Sequence, residues 1–411
     1  MVLALSLLAA ACGDDDGDDE SQGSSGTEAP AAECAGEPIK LASLVNETGP
    51  LAFGTLAEEA QLGVDAALHA VNGECALGRP IEVNLCDEKS DANESTACGR
   101  EVAEDGTLAW IGRTGLFSGG VDTAELPGVY ANGSSLWELT NPLALSSQSV
   151  ISQLLACATF PIAAGYDDVL FVSAESPEAQ GTMPTIEAMV AELGGRADSL
   201  FYPPDTTDFA PVAAQVQERD PASICLVANE MVPMVNALAD VGIRADSFPI
   251  VSGAVLVPSH VLEELGDAAD GMILVSQTVS PSVTDNPGIA DMLDELEAAG
   301  IDTEESPIST ETVYYWSSIH ALVDALRPLT PEQIEALDSE TLQEAVAAHT
   351  PVERPEVAPY DFTEPAFADT EALAAFRIFN RTALAVKVED GDFVQLTDFV
   401  DVESPSELDF G

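Results

Sequence analysis

The residues able to do chemistry are few and scattered. The histidines are His69, His260, His320 and His349, and none has an obvious acid partner close by in sequence for general-base work. No GxSxG, P-loop, HExxH or dinucleotide GxGxxG pattern occurs, so the usual routes to acyl, phosphoryl, metal-assisted and hydride transfer lack their residues. Asp87, Glu88 and Asp91 form an acidic cluster after an apolar run. No CxxC is present, which argues against zinc. Beyond Cys12, the cysteines Cys34, Cys75, Cys86, Cys98, Cys157 and Cys225 are even in number, which in an exported chain favours disulfides of open connectivity. The chemistry left over is non-covalent. A Gly-rich loop over 112–120 follows a strand, and Ser134-Ser135 precedes Trp137, so hydroxyls, backbone amides and aromatic faces are on offer to a small molecule.

Charge narrows the partners. Seventy-two acidic against 13 basic residues give a formal charge of −59, which repels nucleic acid and anionic headgroups. Only Lys40, Lys89 and Lys387 are lysines. Such acidity suits a strongly hydrated surface in a salty, halophilic or marine medium, where screening tames self-repulsion. At 411 residues and 46% hydrophobic content the chain can bury cores for two domains of ordinary size.

At the amino end, residues 2–11 form an apolar run far below the roughly 20 residues that span a bilayer, and it stops at Ala9-Ala10-Ala11-Cys12-Gly13. This resembles a bacterial lipobox, with 1–11 as signal peptide and Cys12 as the lipidated residue. Residues 12–36, rich in Asp, Gly, Ser and Glu, have almost nothing to bury and predict a disordered acidic tether.

Beyond the tether, strands and helices alternate. Strands are expected at 39–45, 81–85, 108–111 and 129–131, with helices at 56–71 and 95–105. A second series follows: helix 146–158, strand 168–172, helix 182–193, strand 223–227, helix 231–241, strands 249–251 and 272–275. Two helices, 290–299 and 311–326, precede a Pro- and acid-rich stretch and a strand pair, 383–388 and 393–397, turned by Glu389-Asp390-Gly391-Asp392. Alternation of this kind predicts an α/β fold of mainly parallel sheets. The divisions expected are a first lobe over 37–145, a second over 146–280, a return to the first over 281–330, an irregular segment over 331–374, and a return to the second with a tail over 375–411.

Several stretches together resemble the branched-chain amino-acid-binding (leucine-binding) family of periplasmic ABC-transporter substrate-binding proteins. They are Ile39-Lys40-Leu41-Ala42, Glu47-Thr48-Gly49-Pro50-Leu51-Ala52-Phe53-Gly54, Gly78-Arg79-Pro80-Ile81-Glu82-Val83, Cys86-Asp87-Glu88-Lys89-Ser90-Asp91 and Val102-Ala103-Glu104-Asp105-Gly106 ahead of Trp110-Ile111-Gly112. Asp208-Phe209, Leu238-Ala239-Asp240-Val241-Gly242 and Tyr315-Trp316 extend the likeness to about residue 400. It implies the type I periplasmic binding protein fold: two Rossmann-like lobes joined by a three-crossover hinge, with ligand in the cleft at the carboxyl ends of the strands.

The resemblance also implies a role and a site: an extracytoplasmic lipoprotein, a monomer without cofactor, that hands a small polar solute to an ABC permease and its ATPase. A sensory receptor of the same fold is the alternative, and it would need a separate signalling partner because residues 401–411 are too few for a signalling domain. Matching positions place Thr114, Gly115 and Leu116, then Gly133, Ser134 and Ser135, against the ligand's carboxylate and amine. Phe53 and Trp316 match aromatic covers, and Glu178 and Glu230 lie near the second-lobe contacts. Where amino-acid-binding relatives carry the Glu that neutralises the ligand's ammonium, this chain has Ala254. An ammonium buried without a partner is costly, so either another acid substitutes or the solute is not a simple amino acid. Cys86–Cys98 resembles a bridge of the family, and a strand end followed by the first turns of a helix brings such a pair within reach; Cys34–Cys75 and Cys157–Cys225 are the companion pairings expected.

Overall fold

The computed structural model describes residues 34, 36–49, 55–112, 115, 117–133, 136–228, 230–371, 373–405, 408 and 410. Its first sheet is seeded by β1 (Ile39–Val45), whose residues are buried on both faces except Lys40. A strand covered on both sides belongs in the middle of a parallel sheet. The chain then alternates through α1 (Leu56–Gly73), β2 (Ile81–Asp87), α2 (Ala92–Glu104), β3 (Ala109–Ile111), α3 (Gly119–Ala124), β4 (Gly128–Gly133), α4 (Leu136–Thr140) and β5 (Ala144–Ser149). The strand order is β2-β1-β3-β4-β5, all parallel. Asp91 starts α2 by accepting from the amides of Asn93 and Glu94, as an N-cap should.

The second lobe begins with α5 (Val150–Ala163) and runs through β6 (Asp168–Ala174), α6 (Pro177–Glu192), β7 (Arg196–Tyr202), α7 (Ala210–Arg219), β8 (Ser223–Val227), α8 (Met231–Asp240), β9 (Ile250–Gly253), α9 (Ser259–Leu265) and β10 (Ile273–Ser276). The chain returns to the first lobe as α10 (Pro287–Ala298) and α11 (Thr310–Leu326), adds α12 (Pro331–Glu335) and α13 (Ser339–Ala348), and comes back as β11 (Thr382–Glu389), β12 (Asp392–Gln395) and β13 (Val400–Asp401). The second sheet reads β7-β6-β8-β9-β10-β11-β12, with β13 on β11. It is parallel as far as β10 and antiparallel beyond it. Asp390 and Gly391 both have positive φ, the backbone that a two-residue hairpin turn demands.

Three expectations need correction. Residues 146–149 form the end of strand β5, not the first turn of a helix, and the helix begins at Val150 behind a Ser149 cap. The polar run Ser146-Ser147-Gln148-Ser149 carries no strand signal, yet all of it is buried. Strand β7 went unassigned because only its last residues are buried. Residues 331–348, expected to be irregular, hold α12 and α13, capped by Thr330 and Asp338.

All three disulfides form: Cys34–Cys75, Cys86–Cys98 and Cys157–Cys225, with Cα separations of 5.2, 6.0 and 5.8 Å. The last lies inside the second-lobe core and ties α5 to β8.

Candidate ligand site between the lobes

The chain passes between lobes three times, after β5, after β10 and before β11, and one buried side chain ties the passages together. Gln277 accepts from the amide of Ser149 at 2.9 Å and donates to the carbonyl of Thr382 at 3.3 Å. Asn380 reinforces the join by donating to Ser147 O, while Ser152 Oγ donates to Asn380 O at 2.8 Å. The crossovers are thus a hydrogen-bonded knot, and the lobes on either side can each stay rigid.

Beside the knot lies a cavity bounded by the carboxyl ends of both sheets. Asn132 and Gln148 reach it from β4 and β5, Val255 from just past β9, Gln153 from α5, and Thr310 and Glu311 from the first turn of α11. Its enclosed part is about 20 Å³, room for an ordered water or the terminal polar group of a larger molecule. Asn132 Oδ1, Gln148 Nε2 and Glu311 Oε1 are sealed from solvent and have no hydrogen-bond partner among the described residues. Buried polar atoms are ordinarily satisfied, so three such atoms on one cavity mark a place able to receive a polar guest.

The electrostatics are set by two acids. Glu59 of α1 is fully buried, and its carboxylate accepts from Ser309 Oγ and Thr55 Oγ1, each at 2.5 Å. Ser309 caps α11, so the same carboxylate fixes the helix start that presents Glu311. α1 can come this close because Gly63 has no side chain: a Cβ there would sit 2.3 Å from the carbonyl of Thr312. Burial raises the Glu59 carboxyl above its ordinary range despite those hydrogen bonds. Glu311 is pushed up to about 8, first by burial and then by the nearby Glu59. At neutral pH Glu311 is therefore an uncharged acid able both to donate and to accept. Thr55 also lies 3.4 Å from His260 Nδ1 of α9, a contact from one lobe to the other.

Beside the polar cavity, Ser276, Thr278 and Thr310 also edge a second one, more apolar, whose walls include Val257, Leu274, Ile308 and Phe393. Ala254 lines this apolar cavity.

The residues singled out from the sequence are distributed as follows. Cys12, Phe53, Thr114, Leu116, Ser134 and Ser135 lie outside the described residues, as does the side chain of Glu178. Gly115 is buried; its amide donates to Leu44 O at 3.0 Å, and a Cβ would crowd Leu44 and the Glu88 carboxylate. Gly133 ends β4. Glu230 stands at the start of α8, half-buried, and accepts from Tyr202 OH at 3.4 Å. Burial, and then this carboxylate, push the Tyr202 phenol up, so it stays a donor.

Trp316 is not beside the cavity. It is 2% exposed inside the first lobe, where its indole N–H donates to Glu295 at 2.6 Å and Arg354 lies over its ring. Thr310 and Glu311 face the cavity, and a residue five or six positions further along a helix points away from it. Gln148, Gln277 and Glu311 were missed by the sequence reading. The one signal was a Gln inside an otherwise apolar or small-residue run, as in Val275-Ser276-Gln277-Thr278-Val279.

A family model described as periplasmic binding protein matches residues 38–380. The chain belongs to this family. Periplasmic binding proteins of type I are also its structural neighbours. A fatty acid ABC transporter substrate-binding protein from Thermomonospora curvata superimposes with a TM-score of 0.72 at 16% identity, covering 90% of this chain and 95% of that one. For a leucine-binding protein from Thermotoga maritima the values are 0.67, 16%, 88% and 99%. For a solute-binding protein from Rhodopseudomonas palustris HaA2 in complex with p-hydroxybenzoic acid they are 0.70, 16%, 89% and 98%. At such identities the superpositions establish the fold, two α/β lobes with mostly parallel sheets. No curated protein matches the sequence significantly. Among the described residues no helix is long and apolar enough to cross a membrane, and no cluster of His, Cys, Asp or Glu could hold a metal ion.

Proposed function

We propose that this periplasmic binding protein is an extracytoplasmic solute-binding lipoprotein that closes around a small polar solute and delivers it to an ABC permease. The observation that carries the reading is the cavity at the carboxyl ends of both sheets, beside a three-passage hinge, with buried polar atoms waiting for partners. A solute touching both lobes stabilises the closed arrangement only through contacts that the open one lacks, which is how capture becomes a signal to a permease. Three disulfides suit an oxidising compartment. The ligands named for these neighbours, fatty acid, leucine and hydroxybenzoate, span a wide chemistry, so the fold leaves the solute open.

The test is a thermal-shift screen of purified protein in high salt against amino acids, amides, urea and small carboxylates. A true solute raises the melting midpoint by mass action, by about 2.7 kcal/mol of added stability at a hundredfold excess over Kd. A protein that responds to none of these classes is not the receptor proposed. The anchor is tested separately: Cys12→Ser should release the protein from the membrane fraction of cells, and unchanged membrane retention rejects the lipid.

A further inference from the structure

The groups that line the polar cavity share one property. Asn132, Gln148 and Gln153 carry side-chain amides, each with a donor and an acceptor, and the Glu311 carboxyl, neutral at physiological pH, offers the same pair. Among the described residues no lysine, arginine or histidine lines this cavity. Three of the lining atoms, one on each of β4, β5 and α11, lack partners while fully sealed from solvent. Gln148 and Glu311 are 7% and 6% exposed, so neither can turn to bulk water.

An ionised carboxylate does not fit such a lining. It accepts only, it would meet the Glu311 carboxyl with the Glu59 carboxyl near behind it, and no cation among the described lining residues offsets the loss of its hydration. An ammonium would have to draw the proton from Glu311 to find an anion on the cavity wall, and it cannot donate to and accept from the lining amides as an amide does. A neutral group bearing both a carbonyl and N–H fits: its oxygen takes the Gln148 amide proton, and its N–H groups reach Asn132 Oδ1 and Glu311 Oε1. The pairing survives rotation of any lining amide, because each presents a donor on one side and an acceptor on the other.

We infer that this cavity, bounded by Asn132, Gln148, Gln153 and Glu311, receives the polar end of the solute and selects an uncharged amide or urea group over a carboxylate. This rests on the solute-binding reading above. The adjoining apolar wall of Val257, Leu274 and Ile308 gives a short hydrocarbon body a place beside that head.

The experiment is calorimetry on the full soluble domain in high salt at neutral pH, with acetamide, isobutyramide and urea set against acetate, isobutyrate and leucine. An amide should bind, and its matching carboxylate should bind at least about tenfold more weakly. Gln148→Met and Asn132→Leu should each lower amide affinity about tenfold, the worth of one hydrogen bond to a buried partner. Glu311→Gln keeps a donor and an acceptor and should retain amide binding, whereas Glu311→Met should lose it. Melting of each variant without solute confirms folding, and the four variants at three positions keep the test alive if one fails to fold. Carboxylates or leucine binding in preference to amides overturns the inference and leaves the solute-binding reading standing. Amide binding indifferent to all four substitutions also overturns it and assigns the cavity to an ordered water. Binding of no solute of any class defeats both.

Discussion

Two buried glutamates sit on opposite sides of α11 and are treated differently. Glu356, on the flank of the first lobe, is 0% exposed, and one of its oxygens accepts from Arg354 Nε at 2.5 Å and from Ser317 Oγ at 2.7 Å. Arg354 in turn reaches Asp324 and lies over the Trp316 ring. The other Glu356 oxygen rests against Gly288 in the first turn of α10, where a Cβ would sit 2.2 Å away. Each acid thus has one buried oxygen without a hydrogen-bond partner among the described residues, but Glu311, at the hinge, has no cation there and is pushed up to about 8 by burial and then by Glu59. The chain's scarce basic residues are therefore not spread evenly over its buried acids. One acid is neutralised by an ion pair that closes a seam between elements, and the other by keeping its proton, which leaves a neutral polar group free to meet a solute. A buried acid paired with a cation makes structure, and one that keeps its proton makes a receptive site.

The sharpest way to break this contrast is to remove the partner of Glu356. Arg354→Met should cost about 3–5 kcal/mol, because a carboxylate is left buried alone. Chemical denaturation measures this, and adding Glu356→Gln should restore a good part of the loss.

Next in size is the pH response of the hinge acids. The Glu311 carboxyl holds its proton in the folded state up to about 8, while in the unfolded chain it loses it in the ordinary carboxyl range. Between those two points the folded state binds the extra proton, so stability falls as pH rises, by on the order of 1 kcal/mol per pH unit, and levels off above the folded value. The buried Glu59 carboxyl, also raised, acts in the same direction. Glu311→Gln should flatten most of that slope in melting curves taken across the window.

Gly63→Ala tests how firmly α1 and α11 hold the hinge acid. The new methyl must displace the Thr312 carbonyl, and a cost of roughly 1–3 kcal/mol in denaturation is expected. The smallest effect should come from Gln148→Leu: replacing a group that already lacks a partner should change stability by less than about 1 kcal/mol. A large loss there would mean that the side chain is a structural member of the hinge and not a waiting contact.

Much of the scaffold was legible beforehand because its signals are local. The apolar run of β1, the Asp390-Gly391 turn and the even set of cysteines are decided by residues within a few positions of one another. What tertiary structure decided is the content of the site. A serine- and glutamine-rich run became a buried strand because a neighbouring strand and the crossovers supplied its hydrogen bonds. Trp316 turned into the first-lobe core because α1 and Arg354 wait on that side of α11. Glu311 lost its charge because the fold buries it, and then because Glu59, 252 positions earlier in the chain, lies near it. Propensity and capping act over one helical turn, whereas desolvation and hydrogen-bond satisfaction depend on which distant segments meet.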